Sequence, residues 1–599
     1  MTWDLSSYFP RFDAPETRRF KEELAAGIAS LRSEAAALAP LSRETLPSWE
    51  KLLLQHEELL RRVSHWSSYV SCLAASDAAN EEYLAEEADL SRLRAETTKL
   101  RVELLRAVKR ASEADFGLLL AAPSFHDARN YLDRLRQEAR RTMEPEKERL
   151  AADLGVDGIQ AWGRLYDTVS SKLEFSMVFP DGTRETLPIA QRRSLMEHPD
   201  RRVRKAAFEG GNEAWRRVED VTAAALNAIA GTRLTLNRHR GVEDFLEIAL
   251  FQAAMSRKTL DALLEALFAR LEVPRRILRL KARRMRDRGV AWYDLAAPLE
   301  TDAAAGIPWE QAKAMVEEAF GRTYPALAEF FRGLNDKRWI DWEPRRAKRP
   351  GGFCTGSMLT GESRIFMTYK ESLGDVLTLA HESGHAFHGH LLRDVRPYAR
   401  IYPMTLAETA STFAELLLIG GLRKRPPTDD RRHAAMLDAE IGEAAVYLLD
   451  IPVRFEFEKT LYAERKNGPL TVSRLKELMV EAQRRILGDI LLPGGEDPYF
   501  WASKLHFYIT GLTFYNFPYT FGFLLSRALY AMFEREGADF LPRYEEFLRL
   551  AGSDTAENVV RRTIGGDPES PDFWTEAISS LEKPLSELES LYGGSTREG

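Results

Sequence analysis

The sequence predicts a mainly α-helical fold, and three features of the chain support this prediction. Residues 15–150 place apolar side chains at helical spacing, with leucines at positions 84, 90, 93, 100 and 104. The helical pattern resumes after Pro199 and continues towards the C-terminus. Between these regions, alternating runs at 173–179 and 183–189 flank an Asp-Gly pair, which predicts one short β-hairpin.

The length of the chain, 599 residues, is enough for more than one compact domain. The hairpin is expected to mark a join, so we predict an N-terminal helical domain over residues 1–190 and a second domain over residues 191–585. Residues 586–599 are expected to form a flexible tail, because glycine, serine and threonine follow one another at positions 593–596.

Composition excludes several functional classes. The net charge of −7 and the isoelectric point near 6.0 argue against a general nucleic-acid binder, which carries a basic excess. No basic segment followed by an apolar run opens the chain, and no stretch approaches the roughly 18 apolar residues that cross a membrane. The only cysteines are Cys72 and Cys354, which is typical of a reducing compartment. We therefore expect a cytoplasmic protein that has neither a membrane nor a nucleic acid as partner.

The segment HESGH at residues 381–385 is the most informative motif in the chain. His381 and His385 are one helical turn apart, so both imidazoles can reach a single zinc ion. Glu382 is rotated by about 100° from His381, which directs its carboxylate towards a water molecule on the metal. The motif therefore predicts a catalytic zinc site.

The helix that carries this motif is predicted to span residues 372–392. Ser372 suits the N-cap, and Asp375 follows three residues later as an acidic partner. His388 falls on the same face as the two motif histidines, about one turn beyond the second. We expect His388 to support a ligand or to contact substrate; the alternative is a packed, hydrogen-bonded core histidine.

A catalytic zinc site needs a third protein ligand and an open position for water. The metzincin pattern fails, since position 388 is histidine instead of glycine and position 391 is leucine instead of histidine. The next predicted helix, residues 404–415, offers Glu408 and Glu415, which share one face. One would bind the metal and the other would orient a histidine. The spacing slightly favours Glu408, which is nearer to the loop between the helices.

Residues 339–356 are rich in basic and turn-forming side chains and are predicted to form a flexible loop. This loop leads to a predicted strand at residues 364–369, directly before the motif helix. Strand addition along that segment would align a peptide backbone. Phe366, in the middle of the segment, is a candidate substrate contact.

Two runs, RIFMTYKESLGDVLTLAHESGHAFH at 364–388 and LAETASTFAE at 406–415, resemble the oligoendopeptidase F family, relatives of thimet oligopeptidase and neurolysin. The resemblance extends over most of the chain. It implies two helical lobes that enclose a deep channel, with one zinc ion on the channel floor and the catalytic domain over residues 191–585. It also implies that Glu408 is the third ligand and that Glu415 supports a histidine.

The aromatic segment at residues 506–519 also resembles a substrate-binding segment of this family. The resemblance implies that His506 and Tyr519 act in catalysis with Glu382, by hydrogen-bonding the oxyanion of the reaction. It implies that Tyr508 and Tyr515 contact the substrate. Which tyrosine holds the oxyanion is left open.

The predicted function is zinc-dependent hydrolysis of internal bonds in short, unstructured oligopeptides. A helical metallocarboxypeptidase is one rival, but the His-Glu-Ser-Gln sequence expected around its third ligand is absent. Gluzincin aminopeptidases carry a Gly-x-Met-Glu-Asn element, which is also absent. A non-catalytic peptide-binding protein would have no need of Glu382 and the two histidines. The oligomeric state is left open by the sequence.

Overall fold

The structure is a computed structural model that describes residues 3–299, 306–424 and 430–594. The chain is 71% helical with a few short strands, which confirms the predicted fold class. Within the described residues, we find no helix with both the length and the apolar character needed to span a bilayer. The channel between two lobes stays a prediction.

The helices account for most of the chain. Those before residue 300 are α1 (Pro15–Ala37), α2 (Leu46–Ser76), α3 (Glu81–Arg110), α4 (Glu113–Ala121), α5 (Arg129–Arg140), α6 (Pro145–Asp157), α7 (Ile159–Lys172), α8 (Gln191–Met196), α9 (Arg201–Arg216), α10 (Glu219–His239), α11 (Leu246–Ala253), α12 (Arg257–Ala269) and α13 (Glu272–Arg284). Those after residue 305 are α14 (Trp309–Thr323), α15 (Pro325–Asp336), α16 (Leu373–Leu391), α17 (Met404–Ala407), α18 (Thr409–Arg423), α19 (Asp430–Ile441), α20 (Ile451–Arg465), α21 (Val472–Leu487), α22 (Phe500–Ser503), α23 (Phe517–Glu536), α24 (Leu541–Leu550), α25 (Ala556–Ile564), α26 (Pro571–Ser579) and α27 (Glu582–Gly594).

The chain packs as two compact units, each built from three separate segments. The first unit comprises Met1–Thr142, Ala305–Arg425 and Leu529–Asp567. The second comprises Met143–Ala304, Pro426–Ala528 and Pro568–Gly599. This division by packing is distinct from the domain boundary predicted near residue 190, which stays a prediction. The order of helices along the chain does not indicate this division into two units, because each unit gathers helices that lie far apart in the sequence.

The predicted hairpin is present in the second unit. Strands β1 (Glu174–Val178) and β2 (Arg184–Pro188) pair antiparallel, and Gly182 takes the positive φ of 90° that the turn requires. The inward side chains of β1, Phe175 and Met177, pack against helix α9. The local turn signal was therefore sufficient to predict this element.

A three-stranded sheet in the first unit corrects the predicted loop before the motif helix. Its strands are β3 (Ile340–Asp341), β4 (Gly352–Gly356) and β5 (Ser363–Met367), in the spatial order β3-β5-β4. The last five residues of the predicted loop thus form strand β4, which pairs antiparallel with β5. Backbone pairing with β5, the next strand along the chain, overrides the turn-forming tendency of the glycines at both ends of β4.

The predicted tail at residues 586–599 begins too early. Helix α27 continues to Gly594, with Leu585 and Leu588 buried. Glu589 forms an ion pair of 2.6 Å with Arg276 on the basic helix α13. Burial and charge pairing therefore hold the C-terminal helix in the second unit. Residues 595–599 of the predicted tail lie outside the described residues.

Candidate metal centre

Helix α16 begins and ends where the sequence predicts. Ser372 is the N-cap, and its Oγ accepts the backbone N–H of Asp375 at 3.1 Å. The Asp375 carboxylate accepts the backbone N–H of Ser372 in return, at 3.0 Å. This capping box satisfies two of the amides that a helix start leaves unpaired. It fixes the phase of the helix and hence the directions of the two motif histidines.

Three possible metal-binding atoms lie close together in the first unit, two from the middle of helix α16 and one from the residue directly before α18. The side chains of His381, His385 and Glu408 each offer one atom, and these atoms lie within 4.8 Å of one another. Nε2 of His381 and Nε2 of His385 are each 3.3 Å from Oε2 of Glu408. The structure therefore brings together the three residues that were expected to bind the metal.

Glu408 lies at a break between helices. The single helix predicted over residues 404–415 is interrupted, because Glu408 ends α17 and precedes α18. Oγ of Ser411 donates a hydrogen bond of 2.9 Å to Oε2 of Glu408, a contact that the sequence analysis missed. Burial works against ionisation of Glu408, but the neighbouring imidazoles of His381 and His385 outweigh it. They hold the pKa of the Glu408 carboxyl well below its ordinary value, so it is a carboxylate.

Glu415 lies outside the three-atom cluster but contacts one of its members. Its Oε1 accepts a hydrogen bond of 2.5 Å from Nδ1 of His381. A carboxylate in this position fixes the tautomer of the imidazole and leaves Nε2 free to bind a metal. The geometry fits the supporting role expected of Glu415.

Gly384 permits the close approach of the two helices that carry the cluster. A Cβ atom at this position would lie 2.4 Å from the carbonyl oxygen of Ala410 and 2.8 Å from Cα of Ser411. Both are backbone atoms of α18, so neither can rotate away. Gly384 therefore sets the distance between the two histidines and Glu408.

We expect Gly384→Ala to displace α18 and to weaken metal retention at least tenfold, with a loss of about 1–3 kcal/mol in stability from overpacking. Metal content after dialysis, together with a thermal melt, measures both effects. Gly374→Ala in the exposed first turn of α16 is the matched control, since its nearest neighbour is Oγ of Ser372 at 3.6 Å. Equal metal retention in the two variants would contradict this account of the helix contact.

Glu382 is oriented beside the cluster and is only 6% exposed. Its Oε2 has no hydrogen-bond partner among the described residues. Burial raises the pKa of the Glu382 carboxyl, and the neighbouring His381 and His385 oppose this only in part. A Cβ on Gly352 would lie 3.5 Å from Oε1 of Glu382, so strand β4 runs close to this carboxylate.

His388 does not join the cluster. It is fully buried, its Nε2 donates a hydrogen bond of 3.0 Å to the carbonyl oxygen of Leu548, and its ring stacks on Tyr402. Burial lowers the pKa of His388 to about 4, so the ring is neutral. The structure thus gives His388 the alternative role weighed for it, that of a packed core histidine.

The burial of Phe366 and the central position of strand β5 contradict the prediction that Phe366 contacts a peptide substrate. Phe366 is 1% exposed and packs against Phe353 and Trp3. Strand β5 is central, so both of its edges are already paired, with β3 on one side and β4 on the other. Strand β5 therefore has no free edge for a peptide. In the described part of the sheet, the free edges belong to the two outer strands, β3 and β4.

Three of the four predicted aromatic residues form a cluster in the second unit. The His506 ring lies 5.4 Å from that of Tyr515 and 6.3 Å from that of Tyr519, and the two tyrosines are 5.1 Å apart. All three are partly exposed. Tyr508 is different: it is 1% exposed and stacks on Tyr166 at 3.7 Å, so it is a core residue and not a substrate contact.

Two charged residues that the sequence analysis did not assign hold the loop before Tyr515. Nη2 of Arg233 donates to the carbonyl oxygens of Ile509 and Leu512. The buried Glu458 accepts the backbone N–H of Phe514 at 3.1 Å. Phe514 has a positive φ of 50°, which is strained for a bulky side chain. The loop conformation that presents Tyr515 therefore depends on these hydrogen bonds.

The buried carboxyl of Glu458 is expected to make the stability of the folded protein depend on pH. Burial raises the pKa of Glu458 to about 7, well above the usual value of the unfolded chain. The folded state therefore binds the proton of the Glu458 carboxyl more tightly than the unfolded state does. The resulting contribution to the free energy of unfolding is lost as pH rises from about 4.5 through 7. Relative to Glu458→Gln, the wild type should lose up to about 3 kcal/mol over that range. Thermal melts at pH 5 and pH 8 measure the difference; parallel pH profiles for the two proteins would contradict it.

Comparison with known proteins agrees with the fold. Residues 194–580 match the model of peptidase family M3, and residues 108–175 match the model named Oligopeptidase F. Together, the helical fold, the donor cluster and these matches define a helical metallopeptidase. The chain belongs to peptidase family M3, in the group of oligoendopeptidase F.

Individual relatives support the same placement. An oligoendopeptidase F homologue of Lactococcus lactis subsp. lactis is 29% identical over 403 residues, which is 66% of this chain and 65% of that protein's length. Oligopeptidase PepF of Bacillus subtilis is 23% identical over 98% of this chain and 87% of its own length. The crystal structure of oligoendopeptidase F from Enterococcus faecium has a TM-score of 0.71 at 20% identity, covering 96% of this chain and 99% of that one.

Proposed function

We propose that this protein is a zinc-dependent endopeptidase that hydrolyses internal peptide bonds of short, unstructured oligopeptides. The observation that carries the proposal is the cluster of His381, His385 and Glu408 beside the buried carboxylate of Glu382. The names of the family and of its relatives support the substrate class. Two unpaired cysteines support the further proposal of a cytoplasmic location.

The donor set fits zinc. Two imidazole nitrogens and one carboxylate oxygen are typical of catalytic zinc sites. In a tetrahedral site with ligands about 2.0–2.1 Å from zinc, neighbouring ligand atoms lie roughly 3.3 Å apart. The two histidine nitrogens are each 3.3 Å from the Glu408 oxygen. We therefore assign the three ligands to His381, His385 and Glu408, with Glu415 orienting His381.

Zinc, when bound, supplies a Lewis acid that polarises the scissile carbonyl and lowers the pKa of a water molecule. Glu382 accepts the proton of the attacking water on its carboxylate and then delivers it to the leaving amine. Its Oε2 is free of other hydrogen bonds, so it can hold that proton without breaking an existing contact. Its burial excludes competing solvent from the same atom.

The peptide backbone is proposed to dock along the free edge of strand β4. The β4 segment from Gly352 to Gly356 runs close to Glu382, and its outer edge pairs with no other described strand. An extended peptide can hydrogen-bond to such an edge. His506 and Tyr519 are proposed to donate hydrogen bonds to the oxyanion, and Tyr515 to contact the substrate. The clustering of their rings and their partial exposure support this assignment.

Cleavage of an internally quenched peptide blocked at both ends tests the proposal. An endopeptidase cleaves it at an internal bond, which mass spectrometry of the two products identifies. A carboxypeptidase needs the free C-terminus and would leave the blocked peptide intact. A peptide-binding protein would release no product from either the blocked or the unblocked form.

A further inference from the structure

The ammonium group of Lys504 has no hydrogen-bonding or ion-pairing partner among the described residues. Lys504 follows helix α22, and its Nζ lies 4.8 Å from the centre of the Phe500 ring. The backbone carbonyl of Lys504 accepts a hydrogen bond of 3.2 Å from the N–H of Phe507, so the missing partners concern the ammonium group alone. The side chain is half-buried, so a ligand can still reach it.

The carboxylate that attracts Lys504, that of Asp450, is already paired with an arginine. The Asp450 carboxylate accepts a hydrogen bond of 3.0 Å from Nε of Arg454. It accepts a second, shorter hydrogen bond from Nη2 of the same guanidinium. Arg454 lies over the same Phe500 ring as Lys504, at 5.6 Å. Arg192, another cation whose charge acts on Lys504, donates a hydrogen bond from its Nη2 to Asp497 at 3.2 Å. Lys504 is therefore the surplus cation of this cluster.

A half-buried ammonium without a hydrogen-bonded anion is costly. Burial lowers the pKa of Lys504 to about 8, and the attraction of Asp450 opposes this only in part. The neighbouring His506 has a pKa lowered to about 4 by burial and by the charges of Arg454 and Lys504. His506 is thus neutral, and its buried Nδ1 has no partner in the described part of the chain. An incoming anion would relieve both the surplus charge and the missing hydrogen bonds.

We propose that Lys504 binds a carboxylate of the peptide substrate beside the His506–Tyr515 pair and so determines which peptides are cleaved well. This inference rests on the proposed function, in which that aromatic cluster contacts substrate. The carboxylate is either the C-terminus of the peptide or the side chain of an aspartate or glutamate. A compact ammonium suits either, since it recognises charge without a fixed planar geometry.

The test uses pairs of internally quenched peptides that differ only in one carboxylate. One pair has a free or an amidated C-terminus, and the others exchange Glu for Gln at one internal position. The wild type should cleave one carboxylate form about tenfold better in kcat/KM than its neutral twin, as expected for one charge-assisted hydrogen bond. Lys504→Met should remove this preference, and Lys504→Arg should restore most of it.

Lys466→Met is the matched control, because Lys466 is also a cation over an aromatic ring, Phe245 at 5.2 Å, without an ion pair. It should keep the wild-type preference. A wild type that treats every pair alike, a Lys504→Met variant that keeps the preference, or one that slows both members equally would each overturn the inference.

A binding measurement separates this inference from the proposed function. Fluorescence anisotropy of the same labelled peptides is measured on full-length Glu382→Gln and on the Glu382→Gln/Lys504→Met double variant. We expect the double variant to bind the carboxylate form about tenfold more weakly and to bind the neutral twin equally well. If the wild type cleaved no peptide, the proposed function would fail, while this binding difference would still decide the role of Lys504; equal binding of both peptides would overturn it.

Discussion

Substituting glutamine for Glu382 is expected to lower kcat by roughly 10³- to 10⁴-fold while the protein keeps its zinc. Glutamine has the same shape as glutamate but cannot accept a proton from the attacking water. Glu382 is not one of the three candidate ligands, so the metal site should be preserved. Steady-state kinetics on a blocked quenched peptide, with zinc content from atomic absorption, measures both quantities.

The matched control for Glu382→Gln is Glu329→Gln, the same change on the exposed face of α15 in the same unit. It should leave both kcat and zinc content at the wild-type level. A Glu382→Gln variant that retained more than about a tenth of the wild-type kcat would show that another group takes the proton. A variant that lost its zinc would show that Glu382 is needed to hold the metal.

Removing the carboxylate of Glu408 is expected to abolish zinc retention and, with it, peptide hydrolysis. Glu408→Ala leaves two imidazoles, which is one ligand fewer than a catalytic zinc site requires. Glu415→Ala keeps all three ligands and removes only the hydrogen bond to Nδ1 of His381, so zinc affinity should fall by about 10- to 100-fold. Zinc competition against a chromophoric chelator gives both affinities.

The pair of glutamate variants is its own control, because the two residues flank the same histidine and carry the same charge. If Glu415→Ala lost zinc completely while Glu408→Ala retained it, the third ligand would be Glu415. Equal, small losses in both variants would place the third ligand elsewhere in the chain.

Much of the fold follows from local signals in the sequence. Helix α16 begins at its predicted cap because Ser372 and Asp375 satisfy each other's amides, and the hairpin forms around Gly182 because its turn needs a positive φ. Strand β4 could not be predicted, because it exists through pairing with β5. The helical C-terminus likewise depends on an ion pair between Glu589 and Arg276, which are 313 residues apart.

In the candidate site, too, some residues follow from local spacing in the sequence and others depend on packing between distant segments. The spacing of His381 and His385 is a local property of one helix, whereas the choice between Glu408 and Glu415 depends on how α18 packs against α16. Ser411 carried a signal that could have been used, since a serine three residues after a carboxylate can bond back to it. The burial of His388 and of Tyr508 is set by distant partners, and their spacing alone did not reveal it.

A zinc titration of the metal-depleted protein tests the central claim most directly. Chelator-treated protein receives increasing zinc, and cleavage of a peptide blocked at both ends is followed at each step. We predict no cleavage without metal and a linear rise that levels off at one zinc per chain, as one cluster of two histidines and Glu408 requires. Full cleavage by the metal-free protein, or a plateau that Glu408→Ala reaches equally well, would contradict the assignment.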